Sequence, residues 1–218
     1  MTEVSDDQRR RWLEAFCENP ALFGEKPSDA ARFAAAAFKK EGLTRILELG
    51  GGQGRDTLYF ARRGFRVHML DCADEAVRSV TEKMRKQHLS DVVSVRRHDV
   101  RPPLPFADES FDGCYSHMLF CMALTTPELA FLSREVRRVL RPEGLHIYTV
   151  RHTGDAHYRT GIHRGEDIYE VDGFAVHFFS RKKVEQLAEG DEIIRVDEFE
   201  EGELPRRLFI VTLRKKRT

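Results

Sequence analysis

The sequence has no surplus of charge of either sign: 36 basic and 36 acidic residues leave a formal net charge of +0. That balance excludes a surface built throughout for nucleic acid or anionic lipid, although a local patch can hide in a neutral total. Long apolar runs are missing too, and none approaches the roughly 20 residues of a membrane-spanning helix. The opening Met1-Thr2-Glu3-Val4-Ser5-Asp6-Asp7-Gln8 carries no apolar core of the secretory type. Cysteine is sparse. Cys17, Cys72, Cys114 and Cys121 are scattered, with no Cys-x-x-Cys pair. Free thiols and a reducing compartment follow, so a cytoplasmic protein is expected. Internal repeats and low-complexity linkers are absent. At 218 residues the chain is one domain by size, long enough for a full core.

What is present centres on Ile46-Leu47-Glu48-Leu49-Gly50-Gly51-Gly52-Gln53-Gly54-Arg55-Asp56-Thr57. The apolar run 45–49 reads as a buried parallel strand. Residues 58–63 read as a helix that stops at Gly64. Glycines between them permit positive φ and let a ligand approach bare backbone. The N-terminus of the following helix offers free N–H groups. Strand, glycine turn and helix together make a nucleotide-type cofactor site. The dinucleotide fingerprint G-x-G-x-x-G fits Gly50 and Gly52 but fails at Arg55. The Gly-Lys-Ser/Thr of a phosphate-binding loop is missing. What remains, Glu48-x-Gly50-x-Gly52-x-Gly54, resembles motif I of the class I S-adenosylmethionine-dependent methyltransferases.

Around this centre the rest falls in order. Residues 9–17 form a helix with Trp12, Leu13 and Phe16 on one face, ended by Asn19-Pro20. Ser28 caps a second helix over 29–40, and Gly42 stops it. These N-terminal helices either lie over the cofactor mouth or simply pack. Residues 65–71 form strand two. Its acidic end, Asp71, stands at the distance expected of a ribose-binding carboxylate, with Cys72 beside it; the competing role is a helix cap before 73–86. Residues 92–98 alternate as strand three, and 101–105 is an extended, proline-bearing connection. Residues 110–116 form strand four. Thr126-Pro127 starts a helix with apolar positions at helical spacing, and Arg141-Pro142-Glu143-Gly144 turns into strand five over 145–150. Ser180 caps a helix over 181–188. Residues 192–200 and 207–213 form an antiparallel hairpin through 201–205. The basic 214–217 is read as a solvated tail or, alternatively, an RNA contact.

Residues 151–179 are irregular and carry His152, His157, His163 and His177 with Tyr158 and Tyr169. Such a loop is functional or disordered, and its aromatics argue against disorder. Four histidines raise the alternative of a metal site, but no helical His pairing exists, so no metal is expected and an acceptor pocket or lid is. Phe174, Phe178 and Phe179 are further candidates to cover it.

The resemblance runs from about Leu43 to Leu213. It implies an α/β, Rossmann-like fold: a seven-stranded sheet in the order 3-2-1-4-5-7-6, strand seven antiparallel, helices on both faces. The implied organisation is N-terminal helices at 1–42, a cofactor core at 43–150, a substrate-side insertion at 151–179, and a C-terminal helix and hairpin at 180–218. Gly-Gln-Gly-Arg-Asp-Thr-Leu-Tyr-Phe-Ala-Arg-Arg-Gly is similar to the small-molecule branch with tellurite-resistance and thiopurine methyltransferases. The Asn/Asp-Pro-Pro-Tyr motif of amino-methylating nucleic-acid enzymes is absent after strand four. The implied cofactor is S-adenosyl-L-methionine, held by Glu48, Gly50, Gly51, Gly52, Gly54, Asp71, Cys72, Asp99, Val100 and Ser116. Asp99 would accept from the adenine amino group and Val100 pack near the ring. Ser116 and His117 end strand four, where cofactor and acceptor should meet.

The implied reaction is methyl transfer to a small acceptor by in-line displacement. A general base is needed only for a protonated acceptor. His117 is first in line, followed by His157 or His163, with Tyr158 and Tyr169 as acceptor contacts. Two other classes stand beside this one: a non-catalytic S-adenosylmethionine-binding regulator, and an NAD-linked oxidoreductase.

Overall fold

The computed structural model describes residues 2–19, 22–202 and 206–217. Pro20, expected to end the first helix, and 203–205, expected in the final hairpin turn, lie outside the described residues. The elements run α1 (Thr2–Glu18), α2 (Asp29–Lys40), β1 (Arg45–Leu49), α3 (Arg55–Arg62), β2 (Arg66–Asp71), α4 (Asp74–Lys86) and β3 (Val93–Arg97). Then follow β4 (Phe111–His117), α5 (Thr126–Val139), β5 (Leu140–Arg151), β6 (Ile162–His163), β7 (Ile168–Val171), β8 (Phe174–His177), α6 (Arg181–Leu187), β9 (Asp191–Glu201) and β10 (Arg206–Lys215). Among the described residues no helix is long and apolar enough to cross a membrane.

Seven strands form one sheet in the order β3-β2-β1-β4-β5-β10-β9. With β9 and β10 as strands six and seven, this is the order expected. The first five are parallel, and β10 runs antiparallel to both β5 and β9. The period of two along each strand sorts the core into two layers. Leu47, Leu49, Tyr148 and Val150 face α5 and α6, while Ile46, Val67, Tyr115 and Ile147 face α2 and α3. Asp112, in the opening Phe-Asp of β4, clamps the start of β1. Its Oδ2 accepts from the Thr44 and Arg45 N–H groups, each at 2.9 Å.

Several boundaries differ from expectation for local reasons. The cap of α5 is Thr125, not Thr126: its hydroxyl accepts from the Glu128 N–H while the Glu128 carboxylate accepts from the Thr125 N–H, a capping box. Neither Asp71 nor Asp74 caps α4; the N-cap is Ala73, with no side-chain bond. Arg214 and Lys215 belong to β10 and are not a solvated tail. Arg214 pairs with Glu41 at 3.2 Å, and Lys215 Nζ donates to the Leu140 carbonyl at 2.7 Å.

The 151–179 stretch is ordered rather than structureless. β6, β7 and β8 build a separate antiparallel sheet. It is anchored to α1 by Phe174, whose ring lies 4.7 Å from that of Trp12, and by the Ala175 N–H, which donates to Gln8 Oε1 at 3.1 Å. On its other side the His177 N–H donates to the Cys121 carbonyl at 2.9 Å. Phe178 and Phe179 are fully buried in the main core, so they cover no pocket.

Candidate cofactor and acceptor site

The glycine turn leaves β1 and enters α3 at the point where the sheet reverses order: β2 lies on one side of β1 and β4 on the other. Ligands of open parallel sheets sit at that crevice. Gly54, the N-cap of α3, has φ 84, and a Cβ there would stand 2.6 Å from Val80. At Gly51 a Cβ would stand 2.6 Å from Met69. No larger residue fits either position without displacing the core. The turn is fixed by its neighbour strand: Asp71 Oδ2 accepts from the Gly52 N–H at 2.9 Å, and Oδ1 from the Ala73 N–H at 2.9 Å. Burial pushes the Asp71 carboxyl up, and the N–H groups of Ala73, Gly52 and Cys72 pull it back in part.

Glu48 is only 2% exposed, and its Oε2 has no hydrogen-bond partner among the described residues. Burial first, then the Asp56 charge, pushes its carboxyl up to about 8; Asp71 adds to this, against the Thr57 hydroxyl and Arg55. Ser116, also fully buried, leaves its Oγ unpaired. Unpaired buried oxygens are rare and costly, and they mark places where a ligand or water belongs. A turn of bare backbone, a carboxylate at the end of the adjacent strand and two orphaned oxygens suit a ribose-bearing cofactor. Val100 packs against the main core, and Cys72 is half-buried. Asp99 faces Arg101, whose Nε lies 3.0 Å from Oδ1.

Beneath the turn, Asp56 accepts from the Ser28 N–H at 2.8 Å, the Ser28 hydroxyl at 2.7 Å and the Tyr115 hydroxyl at 3.1 Å. This buried knot ties the cap of α2 to the first turn of α3 and to β4. Over the turn lies α1: Phe16 reaches within 3.6 Å of where a Gly52 Cβ would be, and Trp12 and Leu13 join it against α4. The N-terminal helix therefore packs over the glycine turn.

His117 ends β4 with both ring nitrogens engaged. Nδ1 stands 2.9 Å from Thr149 Oγ1, and Nε2 stands 3.1 Å from Glu201 Oε2. Thr149 Oγ1 also accepts from the Met118 N–H at 2.9 Å. Burial opposes ionisation of Glu201, but its bond to His117, with Arg55 and Arg206 nearby, holds it below the usual carboxylate range. Sequence reasoning passed over Thr149, Glu201, Arg55 and Asp56. Only Asp56 carried a signal, as the acidic residue in the first turn of α3.

The histidines of the insertion part company. His163 stacks on Tyr169 at 4.8 Å, its cross-strand partner, and Tyr158 meets the same ring edge-on at 5.6 Å. His157 is half-buried, its N–H donating to Asp155 at 2.9 Å. His152 stacks on Phe209, and buried His177 bonds the Leu124 carbonyl. Among the described residues no three His, Cys, Asp or Glu side chains group as a metal site would require.

Comparison with known proteins finds likeness to methyltransferases. The model of the methyltransferase domain matches residues 46–144. The glycine/sarcosine/dimethylglycine N-methyltransferase of Actinopolyspora halophila is 29% identical over 148 residues, 66% of this chain and 25% of that protein. An uncharacterized methyltransferase of Mycobacterium sp. (strain KMS) is 32% identical over 169 residues, 69% of this chain and 62% of that one. The chain thus spans from a quarter to three fifths of the length of these relatives. Among solved structures, the 1,6-didemethyltoxoflavin-N1-methyltransferase of Burkholderia thailandensis, bound to S-adenosylhomocysteine, superposes with a TM-score of 0.77 over 99% of this chain and 90% of that one. At 17% identity that likeness is one of fold.

Proposed function

We propose that this chain is a class I S-adenosylmethionine-dependent methyltransferase and that it transfers a methyl group to a small-molecule acceptor by in-line displacement. The observation that carries this is the Glu48-x-Gly50-x-Gly52-x-Gly54 turn pinned to Asp71 at the reversal point of the sheet. The cofactor supplies, when bound, a methyl group already activated on a sulfonium. The protein's share is to bind, align and keep water out. Gly50, Gly51, Gly52 and Gly54 would offer it bare backbone. Asp71 has lone pairs left for ribose hydroxyls, with Cys72 alongside. Asp99 and Val100 would flank the adenine. Glu48 and Ser116 hold the unpaired oxygens on the strand ends, and α1 roofs the crevice.

On the acceptor side stand His117 and, from the insertion, His157, Tyr158, His163 and Tyr169. A base is required only for an acceptor that arrives protonated. His117 is less free for that task than its position suggests, since both nitrogens are in use. Calorimetric titration with S-adenosylhomocysteine and with NAD tests the cofactor. Transfer of labelled methyl to a panel of small amines, thiols and phenols tests the reaction. Binding of NAD alone would overturn the proposal, and cofactor binding with no transfer to any acceptor would leave the regulator in its place.

A further inference from the structure

A hollow of about 450 Å³ opens beside the crevice, between the α1–α2 connection, the first residue of α3 and the last residue of β9. That is the size range of small-molecule pockets, roughly 300–1,000 Å³. Two charges of opposite sign meet in it. Arg55 is 20% exposed and Glu201 26%, and Arg55 Nη2 stands 3.7 Å from Glu201 Oε1. They attract but do not hydrogen-bond at that separation. The guanidinium is held in place from behind: Nη1 donates to the Phe23 carbonyl at 3.2 Å, and its carbon lies 5.6 Å over the Phe23 ring. Among the described residues that is the one hydrogen bond Arg55 makes, out of five N–H groups, and its Nε also stands 3.8 Å from the buried Asp56 Oδ1.

Glu201 is held just as firmly. Its Oε2 takes His117 Nε2 at 3.1 Å. That nitrogen must carry a proton, because a bare lone pair would face an ionised carboxylate. His117 is in turn fixed by Thr149 on its other side. So His117 is a positioning residue, and the group it presents to the hollow is Glu201, with Oε1 facing Arg55.

The rest of the lining sets Glu25 and Asp29 against Lys26, one negative charge in excess, and Arg55 and Lys26 are the hollow's only positive groups among the described residues. A plain cation seated at Glu201 would meet Arg55, and a plain anion at Arg55 would meet Glu201. A neutral ligand would desolvate both charges and replace neither. One ligand class satisfies the pair. We propose that this hollow binds a small zwitterion, its amine on Glu201 and its anionic group on Arg55. The 3.7 Å between the two protein charges requires the ligand's charges to lie within two or three bonds of each other, as in an amino acid.

The test is titration of the full chain, with and without saturating S-adenosylhomocysteine. The probes are glycine and L-phenylalanine as zwitterions, glycinamide as cation only and acetate as anion only. The expected result is that at least one zwitterion binds tenfold or more tightly than either half-ligand. Glu201→Gln and Arg55→Gln should each weaken it by about tenfold or more, the scale of one lost charged hydrogen bond, with S-adenosylhomocysteine affinity unchanged. Both side chains are partly exposed, and melts of the two variants confirm that they fold. No zwitterion binding, half-ligands binding equally well, or variants that bind like wild type would each overturn the proposal. Failure of S-adenosylhomocysteine itself to bind would overturn the methyltransferase reading instead, and the titrations without it would still decide the zwitterion seat.

Discussion

Gly52 and Asp71 hold each other across the carboxyl ends of two adjacent strands, the glycine N–H donating to Asp71 Oδ2 at 2.9 Å. The shape of the cofactor turn and the proposed ribose ligand are therefore one feature. Asp71→Ala should cost stability and cofactor affinity together, each by roughly 1–3 kcal/mol. Asp71→Asn should be milder, because one acceptor oxygen remains. Melts and S-adenosylhomocysteine titration of the same samples check this, and a stability loss with unaltered affinity would remove Asp71 from the site.

Gly52→Val should abolish cofactor binding. The residue sits at φ 53, where a branched side chain is strained, and its Cβ would project toward Phe16 under α1. Circular dichroism establishes folding, and calorimetry should then find no S-adenosylhomocysteine binding. A folded variant with wild-type affinity would refute the placement of the turn.

Glu48 makes stability depend on pH. Its folded carboxyl is raised to about 8, above the unfolded value, chiefly by burial. The stabilising protonated form is fully present below the unfolded value, near 4.5, and is lost as pH rises through about 8. Between those limits this group alone lowers stability by up to about 1.4 kcal/mol per pH unit. Glu48→Gln should flatten that slope in denaturant melts taken from pH 5 to 8. A variant with the wild-type slope would show that Glu48 is not the source.

The small β6–β7–β8 sheet should divide under hydrogen exchange. Amides of β7 and β8 are tied by their ladder, Gln8 and Cys121, and should be protected in every state. The turn-rich 153–165 stretch, largely exposed, should exchange fast alone and slow when cofactor and acceptor are both bound. Equal protection in all states would make it a fixed wall with no role as a lid.

The sheet and the glycine turn are legible in the sequence because they are local. An apolar run, glycines that alone tolerate the backbone, and an acid at the next strand's end all fall within 46–71. The cap of α5 is displaced by one residue because Thr125 and Thr126 are both competent. Only Glu128, at the third helical position, selects the first of them. The small sheet escapes local reading since its strands run two to four residues and depend on contact with α1. The basic 214–217 reads as a tail only while Glu41, Glu143 and Leu140 are unseen. Glu201 and Arg55 show the same limit at the candidate site, being distant in sequence and joined only by the fold.

The place of β10 has a consequence for biosynthesis. It is an interior strand, hydrogen-bonded to β5 on one side and β9 on the other, yet it is the last of the seven strands of this sheet to be synthesised. Until it arrives, β5 presents an open edge flanked by Leu145, Ile147, Tyr148 and Val150, all of which the finished protein buries. Unpaired apolar edges invite pairing with other chains. The nascent sheet thus carries an open apolar edge after β1 to β5 have been made, and the β9–β10 hairpin covers it.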